Sequence, residues 1–139
     1  MHAIHHPIHQ PIHRQLADQA WDTWPEEQRA ECGTVYWKSL LGSDLGDASN
    51  TLMGVVRVRK GEVLRPHRHS EPETYFVLSG KGVVGMDGEQ IAVAPGSTLY
   101  IPGDALHSID NPHDEELLIL YTFAVDSWDK VVYRFEPRS

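Results

Sequence analysis

The chain has 139 residues, of which 12 are lysine or arginine, 20 are aspartate or glutamate and 9 are histidine. Its formal net charge of −8 argues against nucleic acid or an anionic membrane as a partner, because clustered cations hold both. No apolar run approaches the ~18 residues that span a bilayer. The N-terminal residues lack the apolar stretch typical of a secretory signal, so we expect a single-domain cytoplasmic protein.

The first segment, MHAIHHPIHQPIHR, holds five of the histidines and repeats the unit Pro-Ile-His. Pro7 and Pro11 exclude a helix through this stretch. Histidine-rich tracts can bind metal ions, but nothing here pre-organises the side chains around one ion. A mobile arm, or a segment that packs on a partner subunit, is therefore favoured.

Residues 15–24 carry Leu16, Ala20 and Trp24 at helical spacing, which predicts a helix. Pro25, followed by two glutamates, is typical of the first turn of a second short helix. We interpret residues 1–32 as a histidine-rich arm and short helices that cover one side of a domain formed by residues 33–139.

From Gly33 onward, short β-branched and aromatic runs alternate with glycine, proline and Asn/Asp turns. Asp87-Gly88 is a strong signal for a two-residue β-hairpin. Many short strands in one domain predict a sandwich or barrel, and closure into a barrel removes exposed edges. The fold class is therefore all-β with a short helical lead-in. The predicted strands are residues 35–41, 51–58, 63–69, 73–78, 81–86, 89–93, 97–101, 106–110, 116–123 and 131–135.

Two histidines one residue apart, His67 and His69, project from the same face of a predicted strand. Glu73 opens the next strand, and His107 lies on a later one. A His-x-His pair alone is more often a solvated strand edge. Three imidazoles and one carboxylate that converge inside a barrel instead suit one divalent transition metal per chain, namely iron, manganese, nickel or zinc.

These residues stand in two blocks that resemble the two signature motifs of the cupin family. The block GEVLRPHRHSEPETYFVLSG matches G(x5)HxH(x3)E(x6)G in full. The second block, from Gly96 to Asn111, matches G(x5)PxG(x2)H(x3)N except that Asp104 stands in place of a glycine. The resemblance covers about residues 33–136 and implies a double-stranded β-helix (jelly-roll) barrel with an ion in its mouth. The metal ligands that it implies are His67, His69, Glu73 and His107.

Other side chains near the predicted ligands suggest how a substrate binds. Arg65 has the same strand parity as His67, so we expect it to point into the barrel and pair with a substrate carboxylate. Tyr75 shares a face with Glu73, and a phenol beside a divalent cation can serve as a general base. Tyr133 lies on the last predicted strand.

A closer resemblance is to the small single-domain cupins that act as dimethylsulfoniopropionate lyases. It includes Trp37-Lys38, the HxHxxxExY run that ends at Tyr75, the stretch YIPGDALH and the tail FAVDSWDKVVYRFEP. It implies that Tyr75 and Tyr133 line the substrate site and that β-elimination releases dimethyl sulfide and acrylate. Aromatic side chains would then face the sulfonium; the candidates are Tyr36, Trp37 and Phe123. An inward Arg65 would repel that sulfonium.

Three other functions use the same residues: a mononuclear iron dioxygenase, an isomerase of a small acid, and a ligand-binding cupin without catalysis. A small carboxylate is the expected partner in each catalytic case. We also expect a homodimer, because Arg57, Arg59 and the N-terminal arm offer surface that a second subunit can cover.

Overall fold

The computed structural model describes residues 11–138, and the histidine-rich tract at 1–10 lies outside the described residues. Ten strands dominate it. They are Tyr36–Leu41 (β1), Leu52–Val58 (β2), Val63–Arg68 (β3), Glu73–Ser79 (β4), Gly82–Met86 (β5), Glu89–Val93 (β6), Thr98–Ile101 (β7), His107–Asp110 (β8), Leu117–Phe123 (β9) and Arg134–Phe135 (β10). The predicted all-β class is confirmed, since each predicted strand overlaps an observed one.

The strands form two antiparallel five-stranded sheets in the orders β1-β2-β9-β4-β7 and β10-β3-β8-β5-β6. Strict alternation of burial along β4 and β9 places one face of the first sheet in the interior. The hairpin at Asp87-Gly88 is confirmed, with φ of 48° and 89° at its two turn residues. The two sheets enclose an apolar core between them.

The lead-in differs from the prediction. Residues 15–24 contain only a short 3₁₀ turn, Leu16–Asp18, and then run extended. Asp22 and Trp37 exchange two backbone hydrogen bonds of 2.8 and 2.9 Å, so the segment pairs with the free edge of β1. Edge pairing outweighs the helical preference because a helix this short is marginal on its own. The second short helix is confirmed as a 3₁₀ turn at Glu26–Gln28 that leads into α1, Arg29–Cys32.

Two irregular positions arrange the strands around the site. The register between β3 and β8 shifts between Leu64 and His67, which marks a β-bulge at Arg65 and Pro66. Asp104, at the expected glycine, has φ of 64°. Aspartate tolerates this left-handed conformation better than most residues, so the departure from the motif preserves the turn.

Within residues 11–138, no helix is long and apolar enough to cross a lipid bilayer.

Candidate metal centre

Three histidines meet between the sheets. His67 lies on β3, His69 follows directly after that strand, and His107 opens β8 opposite His67. One ring nitrogen from each lies within 4.8 Å of the others. All three side chains are buried, with at most 1% exposed. His67 and His69 therefore belong to a buried histidine cluster and not to a solvent-exposed strand edge.

Backbone carbonyls fix the orientation of each ring. The Nδ1 atoms of His67, His69 and His107 bond to carbonyl oxygens at 2.8, 2.8 and 2.9 Å. The acceptors are Arg65, Glu71 and Ala105. Since Nδ1 donates its proton outward, the neutral rings present their Nε2 lone pairs toward one another. The Nε2 atoms of His67 and His107 have no hydrogen-bond partner among the described residues. Inward lone pairs without partners are what a metal ion requires.

Glu73 completes the surroundings of the cluster. Its Oε1 atom lies 3.2 Å from Nε2 of His69 and 3.3 Å from Nε2 of His107. Burial lowers the pKa of His67 well below its usual value, and repulsion by His107 adds to this. Burial also acts to lower the pKa of His69, but the hydrogen bond and charge of Glu73 outweigh it and raise that pKa. Three nitrogen donors beside a carboxylate fit a divalent transition metal, whose binding would displace protons from the site.

Two tyrosines adjoin the histidines. Tyr75 is 2% exposed, and its ring centroid lies 6.4 Å from that of His107. Tyr133 stacks on His67 with centroids 4.8 Å apart and an interplanar angle of 16°. Burial, followed by the charge of Glu73, raises the pKa of both phenols well above the usual value. Without a metal ion, both hydroxyls are therefore proton donors at neutral pH.

Both tyrosines border a cavity of about 640 Å³, large enough for a small organic ligand. Glu73 connects this cavity to the histidine cluster. The wall is mostly aromatic and apolar, and its charged members are acids. The aromatic and acidic residues that border it are Asp22, Trp24, Trp37, Asp44, Glu73, Tyr75, Tyr121, Trp128 and Tyr133.

The prediction that Arg65 points into the barrel is wrong. Its guanidinium donates hydrogen bonds to the backbone carbonyls of Glu31 at 2.7 Å and Glu136 at 3.2 Å. The cause is the β-bulge, which gives Leu64 and His67 the same inward direction and turns Arg65 away.

Of the three aromatic residues predicted to face the substrate, one borders the cavity and two do not. Trp37 borders the cavity, whereas Tyr36 and Phe123 are absent from the described residues that line it. Tyr36 has the opposite parity on β1 and packs on the guanidinium of Arg57, 4.7 Å away. Phe123 is buried against the ring of His69, with centroids 5.1 Å apart, and so supports a histidine from behind.

Among the aromatic and acidic residues that border the cavity, sequence reasoning missed Asp22, Trp24 and Asp44. The first two lie on the lead-in, where the spacing of Leu16, Ala20 and Trp24 predicts a helix that does not form. Asp44 lies in the short 3₁₀ turn Ser43–Leu45, where it accepts a hydrogen bond from the backbone N–H of Trp128 at 3.4 Å. No local pattern marks these residues, because each reaches the cavity through contacts distant in sequence.

Comparison with known proteins agrees with this architecture. Residues 54–123 match the Cupin domain family. The chain belongs to the cupin family. This cupin is 38% identical over 104 residues to dimethylsulfoniopropionate lyase DddW from Ruegeria pomeroyi, across 74% of its own chain and 67% of that protein.

Two solved structures share the fold at low sequence identity. The polyketide cyclase RemF from Streptomyces resistomycificus superposes with a TM-score of 0.78 at 16% identity, over 94% of this chain and 88% of that one. The cupin-2 domain Rru_A2000 from Rhodospirillum rubrum gives 0.74 at 22% identity, over 93% and 82%. The jelly-roll fold that the sequence motifs imply is thus confirmed.

Proposed function

We propose that this cupin is a metal-dependent lyase that cleaves dimethylsulfoniopropionate into dimethyl sulfide and acrylate by β-elimination. The observation that carries the proposal is the position of Tyr75 and Tyr133. Both phenols border the cavity that meets the histidine cluster at Glu73, as a base for carbon acid chemistry requires. The 38% identity to DddW supports the same reaction class.

In this proposal His67, His69, His107 and Glu73 hold one iron, manganese, nickel or zinc ion per chain. When bound, the ion supplies a Lewis acid that acidifies the C–H bond next to the substrate carboxylate. Glu73 is placed to act as the fourth ligand because its Oε1 lies within 3.3 Å of two of the ring nitrogens. Phe123 and the backbone carbonyls keep the rings in position from behind.

The chain itself moves the proton. Tyr75 acts as a phenolate. Its Oη atom takes the proton from the carbon beside the substrate carboxylate. The electron pair of that C–H bond forms the new double bond, and the bond from the β carbon to sulfur breaks. Sulfur keeps the bonding pair and leaves as neutral dimethyl sulfide. Tyr133 stacks on His67 and so shields that face of the imidazole ring from water.

The outward position of Arg65 supports a sulfonium substrate. A guanidinium inside the cavity would repel the positive sulfur. Arg65 instead bonds to two carbonyls of its own chain. Among the described residues that border the cavity there is no lysine or arginine.

We predict that the protein loaded with iron, manganese, nickel or zinc releases dimethyl sulfide from dimethylsulfoniopropionate. Headspace gas chromatography measures the sulfide, and acrylate should accumulate in equal amount. An oxygen electrode in the same vessel should record no uptake, because elimination leaves the oxidation state of the metal unchanged. Oxygen consumption without sulfide release would favour the dioxygenase alternative, and neither signal under any of the four metals would contradict the lyase.

We also propose that the protein is a homodimer. Arg57, which the sequence suggested as exposed, is only 7% exposed and lies beneath Trp21. The outer face of β4 and the edge strand β7 instead carries large exposed side chains: Phe76 at 42%, Leu78 at 42% and Tyr100 at 61%. An exposed apolar face beside a strand edge that no described strand covers favours association with a second copy.

Light scattering at micromolar concentration should therefore give twice the mass of the chain. Tyr100→Lys should shift the protein toward the monomer, because it places a charge on the apolar face. Lys81→Ala, at an exposed turn, serves as the control and should leave the mass unchanged. A monomeric wild-type protein would contradict the proposal.

A further inference from the structure

The charged groups around the cavity are unevenly distributed. On the side of the histidine cluster, three neutral imidazoles and the Glu73 carboxylate would leave a bound divalent ion with a net charge of roughly +1. On the side of β1, the charged residues that border the cavity are Asp22 and Asp44. In the sheet order, β1 lies three strands from β4, which carries Glu73. With an ion bound, the cavity would pair a positive side with a negative side.

Nearby cations are kept out of this negative side. Lys38 follows Trp37 on β1, so it points to the opposite face of the sheet, where its Nζ atom lies 4.7 Å from the ring centroid of Trp21. The guanidinium of Arg57 lies 4.6 Å from the same ring. Trp21 therefore holds both cations outside the barrel, and neither offsets the two carboxylates from within.

The wall on the same side is built of indoles. Trp24 and Trp37 are in contact at 4.9 Å between ring centroids, and Trp128 borders the cavity beside Tyr121 at 5.7 Å. Tryptophan is the side chain that attracts cations most strongly through its ring face. Indoles next to carboxylates suit a cation without N–H groups, which gains from dispersion and charge rather than from hydrogen bonds.

Tyr121 also borders the cavity on this side. Its hydroxyl is buried and has no hydrogen-bond partner among the described residues, and the whole residue is only 4% exposed. The residue opposite it on β2 is Gly54, where an added Cβ would lie 2.2 Å from the hydroxyl oxygen. The lack of a side chain at position 54 thus leaves room for the Tyr121 hydroxyl, so that the phenol ring can form part of the cavity wall.

We propose that the β1 side of the cavity is a binding site for an onium cation, a sulfonium or quaternary ammonium group, and that the cavity selects zwitterionic carboxylates. Trp24, Trp37 and Trp128 contact the onium methyl groups, and Asp22 and Asp44 balance its charge. The inference rests on the proposed function only in placing the carboxylate at the metal.

A matched pair of ligands tests this directly. Dimethylsulfoniopropionate and 4-methylpentanoate have nearly the same shape but differ in the charge at the branched end. Calorimetric titration of the metal-loaded Tyr75→Phe variant measures binding without turnover. We expect the sulfonium to bind at least about 10-fold tighter, and 3-(trimethylammonio)propanoate to share that preference. Equal affinity for the charged and neutral ligands would overturn the inference.

Two cavity variants then test which residues cause the tighter binding of the sulfonium. Asp44→Asn keeps an oxygen to accept from Trp128 but removes the charge, and Trp37→Leu removes an indole. Each should reduce the preference for the sulfonium several-fold with little change in binding of 4-methylpentanoate. Asp114→Asn, an exposed acid paired with Lys60, is the control and should retain it. A preference unchanged in both cavity variants would contradict the assignment. Selective binding by the Tyr75→Phe variant, with no sulfide release from the metal-loaded wild type, would refute the lyase and leave the onium site standing.

Discussion

His107→Ala should lose the metal and, with it, all measurable lyase activity. His107 is the only ligand that β8 supplies, and its ring fixes one side of a site whose three nitrogens lie within 4.8 Å of one another. Loss of supporting residues around metal sites already costs about 10–100-fold in affinity, so loss of a ligand should exceed this. Elemental analysis after loading and dialysis measures the occupancy.

A thermal shift provides the second measurement. Metal that binds only the folded protein stabilises it by an amount that grows with the logarithm of the ratio of metal concentration to Kd, so zinc should raise the Tm of the wild type but not of the variant. His113→Ala is the matched control, because His113 is exposed in the turn after Pro112 and does not belong to the histidine cluster. If His107→Ala kept one ion per chain, the assignment of the centre would be wrong, and with it the proposed chemistry.

Most of the barrel could be predicted because its signals are local. Alternating burial, glycine and proline turns and the Asp87-Gly88 hairpin act within a few residues, so strand positions followed from the sequence. The histidine cluster was also accessible, since His67 and His69 share a parity and the second motif places His107. Even Asp104, the one departure from the motifs, follows local rules, because a positive φ of 64° is tolerated by aspartate.

The substrate side of the site could not be predicted in the same way. Strand parity predicts that Arg65 points into the barrel, but a β-bulge adds one residue and reverses the direction of the side chain. Trp24 was assigned to a helix that does not form, because the edge of β1 offers hydrogen bonds to the lead-in. Both errors come from contacts between segments far apart in the chain, which a single sequence does not reveal.

Tyr75→Phe should reduce turnover by about 10²–10⁴-fold while metal occupancy stays unchanged. The substitution removes one buried oxygen and keeps the ring that packs near His107. In the metal-free protein, burial and then the charge of Glu73 raise the pKa of this phenol. A cation held beside Glu73 would offset that charge and favour the phenolate. Because the base works deprotonated, the wild-type rate should rise with pH up to the pKa of Tyr75 in the metal-bound enzyme.

Tyr133→Phe distinguishes the two phenols. Its ring stacks on His67, and phenylalanine preserves that stacking, so only the hydroxyl is lost. We expect a smaller loss of kcat and an unchanged dependence of rate on pH, whereas Tyr75→Phe should abolish the rising limb. Stopped assays of dimethyl sulfide over a range of pH, with metal content measured on the same samples, separate the variants. If Tyr133→Phe removed the rising limb and Tyr75→Phe kept it, the base would be Tyr133, since the group that accepts the proton must set the pH dependence.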